Sequence, residues 1–174
     1  MDEQARGQRR MGRGMMMAFW VLVLGLGTWW FQGVLEDRRN PNAGVAQTGG
    51  DGRVVLERNR SGHFVATGRI NGEPVTFLLD TGATYVTVSP GTASRLGLRE
   101  GPAATFSTAN GRVRGHLTRL DTVALGGLAA RDVRGAVNPG LGDDTALLGM
   151  SYLGRFDIQL SGERMIIRAP QQRR

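Results

Sequence analysis

Residues 68–84 read GRINGEPVTFLLDTGAT, and this stretch decides how the rest of the chain is read. Asn71-Gly72 is the preferred pair for a type I′ turn, the two-residue connection whose twist matches that of antiparallel strands. Upstream, His63–Ile70 alternates, with Phe64, Ala66 and Gly68 opposite Val65, Thr67 and Arg69; downstream, Pro74–Leu79 returns as PVTFLL. The hairpin runs straight into Asp80. A carboxylate placed directly after an apolar strand is at least half-buried, where its ionised form is costly. Thr81 adds a hydroxyl, and Gly82 lets the backbone turn tightly or approach a ligand without a Cβ in the way. Two readings of Asp80 stand at this point: a turn cap, because Asp bonds its own backbone two residues on, or a group kept for chemistry.

Working outward toward the C-terminus, short apolar runs alternate with turn signals about every ten residues, the pattern of an all-β barrel or sandwich. Val86 and Val88 mark a short strand, and Ser89-Pro90 opens a brief helix that Gly97 ends. A second hairpin centres on Asn110-Gly111, between Thr105–Ala109 and Arg112–Leu117; its polar arms predict that it projects rather than packs. Leu120–Leu125 and Leu128–Val137 form a third hairpin across Gly126-Gly127. Asn138–Asp144 is a loop, Ala146–Leu148 a buried strand, and Phe156–Leu160 pairs with Met165–Arg168 across Ser161-Gly162. Strands dominate, with one or two short helices.

Working outward toward the N-terminus, residues 37–52 (DRRNPNAGVAQTGGDG) are polar and Gly- and Asn-rich, and read as part of a flexible tether, 36–52. Before it, Met15–Leu35 carries no charge, and a helix of about 20 apolar residues spans a bilayer core. Trp29, Trp30 and Phe31 sit near its far end, where such rings favour the headgroup region. Arg6, Arg9, Arg10 and Arg13 precede it, while Glu36 and Asp37 offset Arg38 and Arg39 after it. The positive-inside rule then keeps residues 1–14 in the cytoplasm and exports the rest. A cleaved signal peptide is the alternative, but the apolar run is long and no A-x-A site follows closely. The expected organisation is a basic tail (1–14), a transmembrane anchor (15–35), the tether, one domain (53–168) and a disordered end (169–174).

Composition closes off other functions. The chain of 174 residues has room for one ordinary domain and a short appendage. It has no cysteine, so no disulfide, thiolate metal site or cysteine nucleophile. The net charge of +7 comes entirely from arginine, but within 53–168 the arginines are scattered, without the blocks or interleaved aromatics of an RNA-binding surface. His63 and His116 are far from metal-ligand spacing. The serines lack G-x-S-x-G context, no Walker A pattern occurs, and Tyr85 and Tyr152 read as packing residues.

The hairpin with its Asp80-Thr81-Gly82-Ala83-Thr84 end, followed by a short strand and helix, resembles the retroviral-type (retropepsin-like) aspartic proteases, above all their bacterial membrane-anchored branch. The likeness covers about residues 62–168. Leu147-Leu148-Gly149-Met150 resembles the family's apolar-apolar-Gly signature beside the catalytic loop, and Thr108-Ala109-Asn110-Gly111 stands where the glycine-bearing flap closes over substrate. The resemblance implies a closed acid-protease barrel, a protein or peptide substrate, and no metal or other cofactor. It implies that Asp80 is the catalytic carboxylate, that Thr81 joins a hydroxyl network between two active-site loops, and that Gly82 and Ala83 contact substrate backbone.

That chemistry needs two carboxylates sharing one proton, one taking a proton from water and the other donating to the peptide carbonyl. The sequence supplies one. Asp51-Gly52 falls in the tether, Asp143-Asp144-Thr145 is followed by Ala146, and Asp121, Asp132 and Asp157 lack a Thr-Gly successor. The second carboxylate is therefore expected from Asp80 of the partner subunit in a two-fold homodimer. The expected protein is a periplasmic endopeptidase on the inner membrane of a bacterium, with no nucleic-acid partner. The competing reading is a non-catalytic peptide-binding domain on the same barrel.

Overall fold

The computed structural model describes residues 15–31, 39–44, 52–108, 111–142 and 145–170. They belong to two units, one ending at Arg38 and one beginning at Arg39. In the first, residues 15–31 form a helix, α1, whose large apolar side chains are exposed. Among the described residues no helix is long and apolar enough to cross a membrane. The expected span of 15–35 runs past the described part of α1, and the basic tail lies wholly outside it.

The second unit is mostly strand. In chain order its elements are β1 (Arg53–Glu57), β2 (Val65–Ile70), β3 (Glu73–Leu79), β4 (Val86–Val88), α2 (Pro90–Arg95), β5 (Ala103–Thr108) and β6 (Gly111–Leu125). They continue with β7 (Leu128–Val137), β8 (Ala146–Leu148), α3 (Met150–Leu153), β9 (Asp157–Ser161) and β10 (Arg164–Arg168). Strands β2, β3, β8, β4, β7 and β6 are neighbours in that order, and β6 returns to β2 through Arg69–Ala124 and Ile70–Val123. Six strands thus close a barrel, which removes free sheet edges, and β5 hangs from β6 outside the ring. Two contacts are parallel, β3 with β8 and β4 with β7. The barrel is filled by fully buried Ile70, Phe77, Val86, Val88, Leu120 and Leu148. A separate antiparallel sheet, β1-β10-β9, turns Val54, Leu56, Met165 and Ile167 toward the same core.

Local chemistry explains the first half of the barrel. Asn71 and Gly72 both take positive φ (51° and 88°), as a type I′ turn requires. Phe64, Ala66, Gly68 and Ile70 are buried while Arg69 is exposed, as the alternation predicts. Ser89 caps α2 by accepting from the Thr92 N–H at 3.0 Å, Pro90 opens the helix, and Gly97 leaves it at φ 62°.

Several expectations shift. The projecting arm and the strand Leu120–Leu125 are one continuous strand, β6, because Thr118 and Arg119 stay paired with Gly135 and Arg134 of β7. The second hairpin pairs Thr108 with Gly111, so Gly111 opens β6 instead of filling the turn. The last hairpin pairs Ser161 with Arg164 and therefore turns one residue later than expected. Strand β1 carries no turn signal or long alternation and was not foreseen. Part of the tether is held: Asn42 is 5% exposed and bridges to Ala66, and the Asn40 amide donates to Thr67 Oγ1 at 3.0 Å. At the other end the Ala169 N–H bonds Gly52 O at 2.9 Å.

Candidate active site

Strand β3 delivers Asp80, and the parallel neighbour β8 fixes where it stops. Leu78 and Leu79 lie beside Leu147 and Leu148, and the Asp80 N–H donates to Leu148 O at 3.2 Å. The chain then turns, with the Ala83 N–H donating to Asp80 O at 3.2 Å. Asp80 Oδ1 accepts from the Gly82 N–H at 2.8 Å, and the side chain is half-buried. This bond is the one a turn-capping Asp makes. It also aims the carboxylate, since among the described residues no other hydrogen bond reaches it and Oδ2 stays available to a ligand. A Cβ on Gly82 would stand 3.2 Å from Asp80 Oδ1, close enough to disturb that bond.

A second layer clamps the turn from behind. Past β8, Gly149 passes so close to Ala83 and Tyr85 that a Cβ there would overlap both carbonyl oxygens. The next two N–H groups, of Met150 and Ser151, donate to Ala83 O and Thr84 O at 2.8 Å each. Ser151 Oγ then accepts from the Val86 N–H at 3.0 Å and donates to Arg134 O at 2.7 Å, tying the turn's exit to β7. The Leu147–Met150 signature is therefore a backbone scaffold for residues 80–85. Ser151 went unnoticed in the sequence because its role comes from the parallel pairing of β4 with β7, which no local pattern reveals.

The other predicted site residues sort cleanly. Thr81, Gly82 and Ala83 share the turn with Asp80; Thr81 and Gly82 are exposed and Ala83 half-buried. Thr108 and Gly111 face each other at the far end of the β5–β6 hairpin, with Thr108 Oγ1 donating to Gly111 O at 2.8 Å. Ala109 and Asn110 lie outside the described residues. The hairpin touches the exit of the Asp80 turn through an edge-on contact of the Phe106 and Tyr85 rings, with centroids 6.4 Å apart. Tyr152 is a packing residue, fully buried with its hydroxyl donating to Leu128 O at 2.8 Å. Among the described residues no group of three or more His, Asp or Glu side chains could hold a metal ion.

Comparison with known proteins agrees with this geometry. Residues 66–155 match the profile of a family described as "gag-polyprotein putative aspartyl protease". The crystal structure of a retropepsin-like aspartic protease from Rickettsia conorii superposes with a TM-score of 0.58 at 32% identity, covering 68% of this chain and 91% of that one. An uncharacterized protein from the cobV 5′ region of a Sinorhizobium species is 27% identical over 173 residues, 88% of this chain and 72% of the other. An uncharacterized protein of Rickettsia prowazekii is 33% identical over 109 residues, 60% of this chain and 46% of the other.

Proposed function

The chain belongs to the gag-polyprotein aspartyl protease family and has a retropepsin-like fold, and from that premise we propose that it is a membrane-anchored aspartic endopeptidase whose active centre forms when two copies meet at Asp80. The observation that carries this reading is the setting of Asp80. Its backbone is fixed by Leu148, one carboxylate oxygen is spent on the Gly82 N–H, and the other is uncommitted. No other aspartate of the sequence is followed by Thr-Gly, which supports one chain offering half of the required pair.

In the completed site, Asp80 and Asp80 of the partner subunit share one proton across the two-fold axis. Two carboxylates about 3 Å apart cannot both ionise. The ionised one takes a proton from water as the water oxygen attacks the peptide carbonyl carbon, while the protonated one gives its proton to the carbonyl oxygen. The resulting gem-diol collapses as the C–N bond breaks and the amine leaves with a proton. An extended substrate beneath the β5–β6 hairpin makes main-chain hydrogen bonds of the strand-addition kind. Thr81, Gly82 and Ala83 line the floor.

The uncharged stretch Met15–Leu35 and the arginines before it support an inner-membrane anchor with the domain on the periplasmic side. Anchoring would also raise the local concentration of subunits and favour pairing. A peptide-cleavage screen comparing wild type with Asp80→Asn, at acidic and neutral pH, tests the catalytic reading. Cleavage by the wild type alone supports it. Equal cleavage by both proteins refutes the role of Asp80, and cleavage by neither favours a non-catalytic peptide-binding domain.

A further inference from the structure

Arg155 is exposed, yet each of its three guanidinium nitrogens is engaged with a backbone carbonyl. Nε donates to Ser151 O at 3.2 Å, Nη1 to Arg131 O at 2.5 Å and Nη2 to Asp132 O at 2.8 Å. We propose that Arg155 is a positioning residue for the reaction: it locks α3 onto β7 and so steadies the backbone that holds the Asp80 turn.

Strand β7 is kinked where it receives this side chain. Asp132 takes a left-handed φ of 53°, a conformation that a residue with a Cβ adopts only at a cost. Arg131 and Asp132 are both exposed there, where strict alternation would bury one of them. In a regular strand successive carbonyls point to opposite sides. At the kink both turn toward Arg155, whose planar fork takes the pair. Arg119 holds the kink from β6, its guanidinium 2.6 Å from Asp132 Oδ1. Backbone strain of this kind persists where the surroundings over-determine it, and it gathers at places that serve function.

The lock reaches Asp80 through a short run of backbone bonds. Nε of Arg155 closes the end of α3 by taking Ser151 O, one of the carbonyls a helix leaves free at its C-terminus. Ser151 Oγ grips the same strand at Arg134 O, so α3 is fastened to β7 on both sides of Val133. From the other end of α3, the Met150 and Ser151 N–H groups hold Ala83 O and Thr84 O, within the turn that Asp80 opens. Tyr152 still anchors α3 through Leu128 O. Loss of Arg155 therefore loosens the helix without unfolding it, and the turn loosens with it.

The effect on rate rests on the proteolytic reading, whereas the lock itself does not, so the two are measured separately. Amide hydrogen exchange is followed in the full-length Asp80→Asn protein with and without Arg155→Gln. Exchange at Met150, Ser151 and Val86 should quicken by about tenfold or more, with the β1–β10 pairing unchanged. No change at these amides, or an equal rise across the whole domain, overturns the proposal. With Asp80 intact, Arg155→Gln should lower kcat for peptide cleavage by about tenfold and leave KM within about twofold. Arg155→Lys should recover part of the loss, since one ammonium lacks the fork that spans both carbonyls. Asp132→Gly keeps the left-handed backbone but loses the pair with Arg119, and should leave kcat unchanged. A rise in KM in place of the fall in kcat, or an equal fall in Asp132→Gly, overturns the positioning role. A wild type that cleaves no peptide refutes the proteolytic reading instead, and the exchange measurement still decides whether Arg155 holds the turn.

Discussion

The side chain of Asn42 bonds both backbone polar groups of Glu57, accepting its N–H at 2.8 Å and donating to its carbonyl at 2.9 Å. The same amide nitrogen donates to Val65 O at 2.8 Å. One buried side chain thus covers the free edge of β1 and links it to β2, making residues 39–44 part of the domain.

Removing that amide leaves buried backbone groups without partners. Asn42→Ala is expected to destabilise the domain by roughly 2–3 kcal/mol, and Asn42→Asp, which keeps an acceptor but loses the donors, by a similar amount. Urea unfolding with an unchanged slope measures this; a change within error of zero would show that the strap does not hold.

Ser151 acts on Asp80 only through the backbone between them. Ser151→Ala deprives the Val86 N–H and Arg134 O of their partner and should cost about 1–2 kcal/mol of stability. It should also lower kcat for peptide cleavage with little change in KM, because the turn loosens while the substrate-contacting residues remain. Gly149→Ala forces overlap with the Ala83 and Tyr85 carbonyl oxygens and is expected to cost more, about 3 kcal/mol.

Tyr152 gives the fold an alkaline limit. Burial, only partly offset by a backbone hydrogen bond, pushes its phenol well above the ordinary range. The folded state keeps a proton that the unfolded chain releases near pH 10. Stability from this group is therefore whole below about pH 10 and is lost as the pH rises beyond it. Unfolding free energies measured through that range should fall for wild type and fall less steeply for Tyr152→Phe.

The parts of the fold that were legible in the sequence are those with local causes. Asn71-Gly72 demands positive φ, Ser89-Pro90 caps and opens a helix, and the Phe64–Ile70 alternation sets a buried face. The Asp80 turn was legible for the same reason. What the sequence hid comes from long-range pairing. Strand β1 exists because Arg53–Glu57 pairs with Arg168–Arg164 at the other end of the domain. Asn42 reads as a tether residue until its partners Glu57 and Val65 are beside it. The unity of β6 depends on β7, and the clamp by Ser151 on the parallel pairing of β4 with β7, neither of which leaves a periodic trace.

In the proposed dimer one chain carries half of a catalytic pair. Wild-type and Asp80→Asn chains, mixed in varied proportion and allowed to exchange subunits, test it directly through the rate of peptide cleavage at constant total protein. Random pairing predicts a rate that follows the square of the wild-type fraction, about a quarter of the full rate in an equal mixture. A rate that falls in simple proportion to the wild-type fraction would mean that each chain cuts alone, and would contradict the account.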